Sequence, residues 1–238
     1  MLWMIVATLC SSFVKGICGF ADGLIFTTIL SFTINNIDIS PLELIIASPG
    51  NFIIAAKERK HLDWKICLPI VILVLLGDIP GIFMLKNMDA RMIKIIFGFI
   101  IIAMALEMLV REKSGKKGKG SGAFLTVIGI LSGILCGLYG IGALLAAYMD
   151  RVTQDSHSFK ANLCFVFSIE CTFRIIVYAC TGILNWTIFS NAVMMIPVML
   201  LGLTTGIRCS SRFNEKLTKK LVLIILILSG AALIINNL

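Results

Sequence analysis

The sequence predicts an all-α integral membrane protein of two four-segment repeats, inverted relative to each other, each opening with a glycine-broken helix. Three observations predict it. Apolar residues make up 58% of the 238 and charged residues only 14%, against roughly 25% charged in soluble domains. The apolar residues gather into runs near the roughly 20 residues a helix needs to cross about 30 Å of hydrocarbon. The runs fall into two sets of four whose landmarks recur in the same order.

The runs cover about 2–32, 42–56, 66–85 and 92–110 in one half, and 122–149, 161–182, 186–207 and 221–236 in the other. Residues 1–110 are read as the first membrane repeat, 111–121 as a basic linker and 122–238 as the second repeat. Gly16-Ile17-Cys18-Gly19-Phe20-Ala21 aligns with Gly137-Leu138-Tyr139-Gly140-Ile141-Gly142 at an offset of 121. His61-Leu62-Asp63-Trp64 aligns with Ile183-Leu184-Asn185-Trp186 at 122, and Gly77 and Gly81 with Gly202 and Gly206 at 125. Offsets that drift so little are what a duplication leaves.

The first run of each half is too long for one straight span and carries glycines near its middle, so it is either a long tilted helix or a re-entrant pair of half-helices. Short-loop charge chooses between them. If every run crosses, Lys and Arg divide 9 against 10 between the two sides. If the first run of each half turns back, 57–65, 111–119, 151–160 and 208–220 share one side, with 16 charges against 3. The second arrangement is the expectation. It leaves three crossings per half, so the halves insert upside down relative to one another. The basic connectors then face the cytoplasm, in a multi-pass protein of the cell membrane.

The net charge of +8 resides in these connectors and forms no nucleic-acid-binding face. The N-terminal run lacks a basic n-region and exceeds a signal peptide's apolar stretch, so it is read as part of the mature chain. The eight cysteines lie in or beside apolar runs without a CxxC, as small buried residues. No metal or cofactor is expected.

The glycine clusters Gly16-x-x-Gly19-Phe20 and Gly133-x-x-x-Gly137-x-x-Gly140-Ile141-Gly142, the duplicated halves, and Gly-x-x-x-Gly near the end of each third run resemble the TauE/SafE family. Its members are described as exporters of sulfite and organosulfonates. The resemblance covers nearly the whole chain and departs at Asp22 and Ala143. It implies a secondary transporter of a small anion, most simply a sulfur oxyanion or organosulfonate. An anion channel and a membrane partner protein without transport are the alternatives. An intramembrane enzyme fits poorly, because His61 and His157 lie in connectors and no Gly-x-Ser-x-Gly is present. No Walker motif is present either. The partners implied are the small anion and the bilayer, with a homo-oligomer left open.

Ionisable side chains at membrane depth cost roughly 2.5–3.5 kcal/mol each and so mark cavities or partners. Lys15, beside the glycines Gly16 and Gly19, and Arg174, whose guanidinium matches sulfonate oxygens, are candidate substrate ligands. Gly137, Gly140 and Gly142 would bring backbone amides to an anion at a half-helix N-terminus. Asp22 is a helix cap or proton-coupling group. Asp78, between Gly77 and Pro80, either takes a proton or bonds a neighbouring helix. Glu170 lies four residues before Arg174, the spacing of an ion pair on one helix face. Glu107 is read as interfacial.

Overall fold

In this computed structural model the described residues are 1–30, 36–87, 122–140, 142–153 and 155–210, with scattered helical positions between 95 and 106 and between 220 and 235. The linker 111–121 and Glu107 lie outside them. The chain runs through α1 (Leu2–Cys18), α2 (Asp22–Leu30), α3 (Asn36–Lys57), a 3-10 turn (Arg59–His61), α4 (Trp64–Asn87), α5 (Gly122–Tyr139), α6 (Ala143–Val152), α7 (Ser156–Cys180) and α8 (Trp186–Ser210).

Four of these, α3, α4, α7 and α8, are long and apolar enough to cross a membrane. The 9 residues of α2 and 10 of α6 give only about 14–15 Å at 1.5 Å per residue, half the hydrocarbon thickness. Each first run is therefore a broken helix. The breaks occur at the glycines: Gly19 ends α1 at φ 87°, and Gly140 follows α5 at φ 69°. Ala21, at φ 77°, is the one non-glycine residue with positive φ among the described residues.

The second run begins earlier than hydropathy suggests. Asn36 to Pro41 belong to α3, although the expected connector reached Pro41. Hydropathy marks the part of a helix that suits lipid, and the polar first turns Asn36–Ser40 extend beyond it. Likewise α7 starts at Ser156 on the N-cap Asp155, whose side chain accepts from the His157 and Ser158 amides. Partial burial pushes the Asp155 carboxyl up, but these bonds outweigh it and hold the group below its ordinary range.

Helices that are apolar all round sort their faces by size. On α4 the large side chains of Leu68, Ile72, Leu76, Ile79 and Phe83 are exposed, recurring at helical spacing as a lipid-facing stripe. The opposite face carries Gly77 and Gly81 against α5. A Cβ on Gly81 would lie 2.6 Å from the Ile134 carbonyl oxygen, and one on Gly137 2.7 Å from that of Asp78. The same device joins α1 to α8, where a Cβ on Gly16 would lie 2.6 Å from the Leu203 carbonyl oxygen and one on Gly202 2.7 Å from that of Leu9. Between membrane helices lipid supplies no hydrophobic drive, so close backbone approach through small residues does the holding.

The broken helix of each half thus packs on the helix of the third run of the other: α1 on α8, α5 on α4. Helices α3 and α7 meet between them. Exchanging the halves turns the α1–α8 pairing into α5–α4 and the α3–α7 pairing into itself.

Among the described residues, the connectors at 57–65 and 151–160 adjoin each other and the end of α8. His61 and His157 stack with ring centroids 5.2 Å apart, and the Lys160 ammonium donates to Ser210 Oγ at 2.7 Å. Had every run crossed, 57–65 and 151–160 would stand about 30 Å apart.

The glycine contacts generate a prediction. Gly77→Val should destabilise the detergent-purified protein by about 1–3 kcal/mol through overpacking, seen as a lower thermal midpoint. Gly182→Ala, where nothing lies within 4 Å of the added Cβ, should lower it less, through φ strain alone. Equal shifts would show that the α4–α5 contact is not close-packed.

Candidate functional site

The two glycine breaks meet inside the protein. Gly23, at the start of α2, sits against the carbonyl of Gly140, so closely that a Cβ on Gly23 could not be accommodated. Around this crossing is a small cavity lined by Lys15, Asp22, Glu43, Asn51, Glu170 and Arg174, with Gly140 and Gly142 on its wall.

Lys15 reaches it from the last turn of α1 and is 2% exposed. Its ammonium pairs with Asp22 and also donates to the Ala47 carbonyl at 3.2 Å. Its stem runs past Gly50, where an added Cβ would be in ordinary van der Waals contact with it at 3.5 Å.

Arg174 is also 2% exposed. Its Nε lies 3.1 Å from Glu170 Oε1, and Nη2 lies 3.7 Å from Glu43 Oε2. Nη1 donates to the Cys136 carbonyl in the last turn of α5. One turn further along α7, the Tyr178 hydroxyl donates to the Gly137 carbonyl at 3.1 Å and lies 3.0 Å from Ser40 Oγ. A helix that ends inside a membrane leaves carbonyls without partners, and α7 supplies two donors for those of α5. The guanidinium is also placed where a helix C-terminus favours a cation.

The first break is finished in a parallel way. The Gly19 amide returns to the Lys15 carbonyl at 2.7 Å. Ser210 Oγ donates to the Ile17 carbonyl at 3.1 Å, and the Cys164 thiol to that of Gly19 at 3.3 Å.

The cavity brings together Lys15, Asp22, Gly140, Gly142, Glu170 and Arg174 from the sequence candidates. Gly16 and Gly137 lie instead at the helix contacts with α8 and α4, and Gly19 packs on the Lys160 side chain. Asp78 is buried on α4, away from the cavity lining but within electrostatic reach of Glu170 and Arg174. Asp22 opens α2, where its carboxylate engages Lys15. Glu170 and Arg174 form the pair their spacing predicted.

Sequence reasoning missed Glu43 and Asn51. Glu43 stands at the edge of its apolar run, next to Pro41, where hydropathy gives it no weight. The signal available was the spacing Glu43–Ala47–Asn51, which puts two polar groups and one small residue on a single helix face.

A model of the family described as Sulfite exporter TauE/SafE matches residues 4–233. The chain belongs to this family. A relative from Cupriavidus necator, "Probable sulfite/organosulfonate exporter TauE", is 24% identical over 182 residues, covering 75% of this chain and 71% of that protein. No solved structure matches the chain significantly. Membership makes this a membrane transport protein, and the buried charges of the TauE/SafE chain are to be understood as parts of a transporter.

The Lys15–Asp22 pair yields a stability test. Asp22→Asn leaves a buried ammonium without its counter-ion, and breaking a buried pair from one side costs about 3–5 kcal/mol. The double change Asp22→Asn with Lys15→Met should recover more than half of that loss in thermal unfolding. Additive losses would mean that the two charges do not depend on each other.

Proposed function

We propose that this chain is a secondary transporter that exports a small sulfur oxyanion or organosulfonate across the cell membrane by alternating access, with the cavity between the two breaks as its substrate site. The observation that carries this reading is the convergence of two buried cations, Lys15 and Arg174, on the point where both broken helices meet. The name of the C. necator relative supplies the substrate class. The inverted arrangement, with basic connectors in the cytoplasm and both termini outside, follows from the loop charges.

Charge balance shapes the mechanism. Lys15 and Arg174 face three carboxyl groups, Asp22, Glu43 and Glu170. With all five ionised the cavity carries one net negative charge, which opposes an anion. Entry therefore requires that a carboxyl yield its cation, and the Arg174–Glu43 contact at 3.7 Å is longer than the Arg174–Glu170 contact at 3.1 Å. In the proposed cycle Glu43 takes a proton as the guanidinium turns its two-point fork to the substrate oxygens. Asp78, outside the cavity but within electrostatic reach of Glu170 and Arg174, is a second proton site in this scheme. The free room at the crossing is on the scale of a water molecule, so in the proposed cycle the side chains around the breaks move apart to admit the anion.

Flux of labelled sulfite into proteoliposomes tests the reading. The wild type should saturate and support counterflow, whereas a channel would not exchange. Gly140 has φ 69°, and a Cβ there would lie 2.5 Å from Glu43 Oε2, so Gly140→Val should lower flux at least tenfold without loss of membrane insertion. Arg174→Lys, which keeps the charge but loses the fork, should raise the half-saturating concentration about tenfold, while the linker change Lys117→Ala leaves it unchanged. Wild-type transport by Gly140→Val would move the site elsewhere. In the same assay Glu43→Gln should flatten the dependence of flux on pH, and an unaltered pH profile would remove Glu43 from the coupling step.

A further inference from the structure

Outside the cavity, among the described residues, one cluster of side chains able to bind a metal is assembled from both halves of the chain. Glu58 follows the last turn of α3, His61 ends the 3-10 turn, and His157 is in the first turn of α7. Glu58 Oε2 lies 2.8 Å from His157 Nδ1 and 3.8 Å from His61 Nδ1. One donor atom from each of the three residues lies within 4.8 Å of the others. Ligand atoms at about 2.0–2.1 Å from a tetrahedral ion stand about 3.3 Å apart, so small rotations of the side chains would bring all three onto one centre. The side chains are free to make them, since those of His61 and His157 are 48% and 63% exposed.

The chemistry of the donors selects the ion. Two imidazoles and one carboxylate suit zinc and its first-row neighbours, and three protein ligands leave a fourth position for water. Calcium and magnesium, which prefer six or more oxygens, are poorly served. The carboxylate is held in place from the protein side, Glu58 having only 14% of its side chain exposed. The backbone that carries His157 is fixed by the Asp155 cap.

We infer that Glu58, His61 and His157 form a divalent transition-metal site that ties the α3–α4 connector of the first half to the start of α7 in the second. No local pattern points to it, because a Glu-x-x-His whose third ligand lies 99 residues from the first matches no ligand spacing. Helices α3 and α7 are the ones that carry Glu43, Glu170 and Arg174, so an ion here bridges the helices that hold the charged centre, at the connector face.

The test uses the full-length protein purified in detergent and stripped with chelator, titrated with zinc chloride and separately with cobalt chloride. The wild type should bind one ion per chain with a dissociation constant in the micromolar range or tighter, and bound cobalt should show the intense visible absorption of a four-coordinate site. His61→Gln combined with His157→Gln should weaken this binding at least a hundredfold, and Glu58→Gln alone at least tenfold. Comparison with the double variant subtracts binding by the cysteines, which both proteins share. Saturating zinc should raise the thermal midpoint of the wild type and not that of the double variant. Because all three side chains lie in connectors or a first turn, the variants should keep the wild-type midpoint in chelator. The assignment is overturned if the wild type and the double variant bind zinc alike, or if the wild type binds no ion more tightly than about 100 µM. None of these readouts involves transport, so the metal site stands or falls apart from the transport reading.

Discussion

The architecture depends on the grip of Arg174 on the end of α5. A helix that stops within the bilayer exposes carbonyl oxygens to a medium without water, and each costs several kcal/mol if left alone. The guanidinium takes the Cys136 carbonyl while Glu170 and Glu43 balance its charge. Tyr178, on the same face of α7, takes the next carbonyl. With these donors in place, Gly140 can turn the chain and α6 can start in a new direction.

Three helices are linked by that one side chain. Glu43 belongs to α3, Glu170 to α7, and the carbonyl to α5. The first break uses weaker donors, a serine hydroxyl and a cysteine thiol, and puts its cation, Lys15, across the turn onto Asp22. The halves therefore share a plan but not a charge pattern. Each cation stands beside a helix break and is held by carboxylates, so in the proposed mechanism an anion that took their place would also disturb the breaks. A transporter needs such a link between ligand and conformation.

Packing leaves little tolerance elsewhere. The glycines of α4 and α8 bring backbones of opposite halves into contact, and every added carbon there meets a carbonyl or a neighbouring Cα. Large apolar side chains are turned outward on α4, as are Trp186, Phe189, Met194 and Leu201 on α8. Hydropathy cannot distinguish the two faces, since both are apolar. Residue size does, and the Gly-x-x-x-Gly spacing marks the inner one.

The sequence by itself determined the fold class, the positions of the breaks and the Glu170–Arg174 pair. These follow from short-range rules: run length, glycine where φ must be positive, and charges four residues apart on a helix. Loop charge, summed over the chain, also grouped the connector at 57–65 with that at 151–160, and the structure brings these two together. Only the tertiary structure decided what the charged residues face. Lys15 meets Asp22 seven residues away across a turn, which no periodicity reveals, and Glu43 reaches Arg174 from a helix 131 residues earlier. The same is true of Glu58 and the two histidines. Long-range partners are set by how helices of one half pack on those of the other, and that packing is governed by the fit of small residues along whole helix faces, a property no local pattern carries.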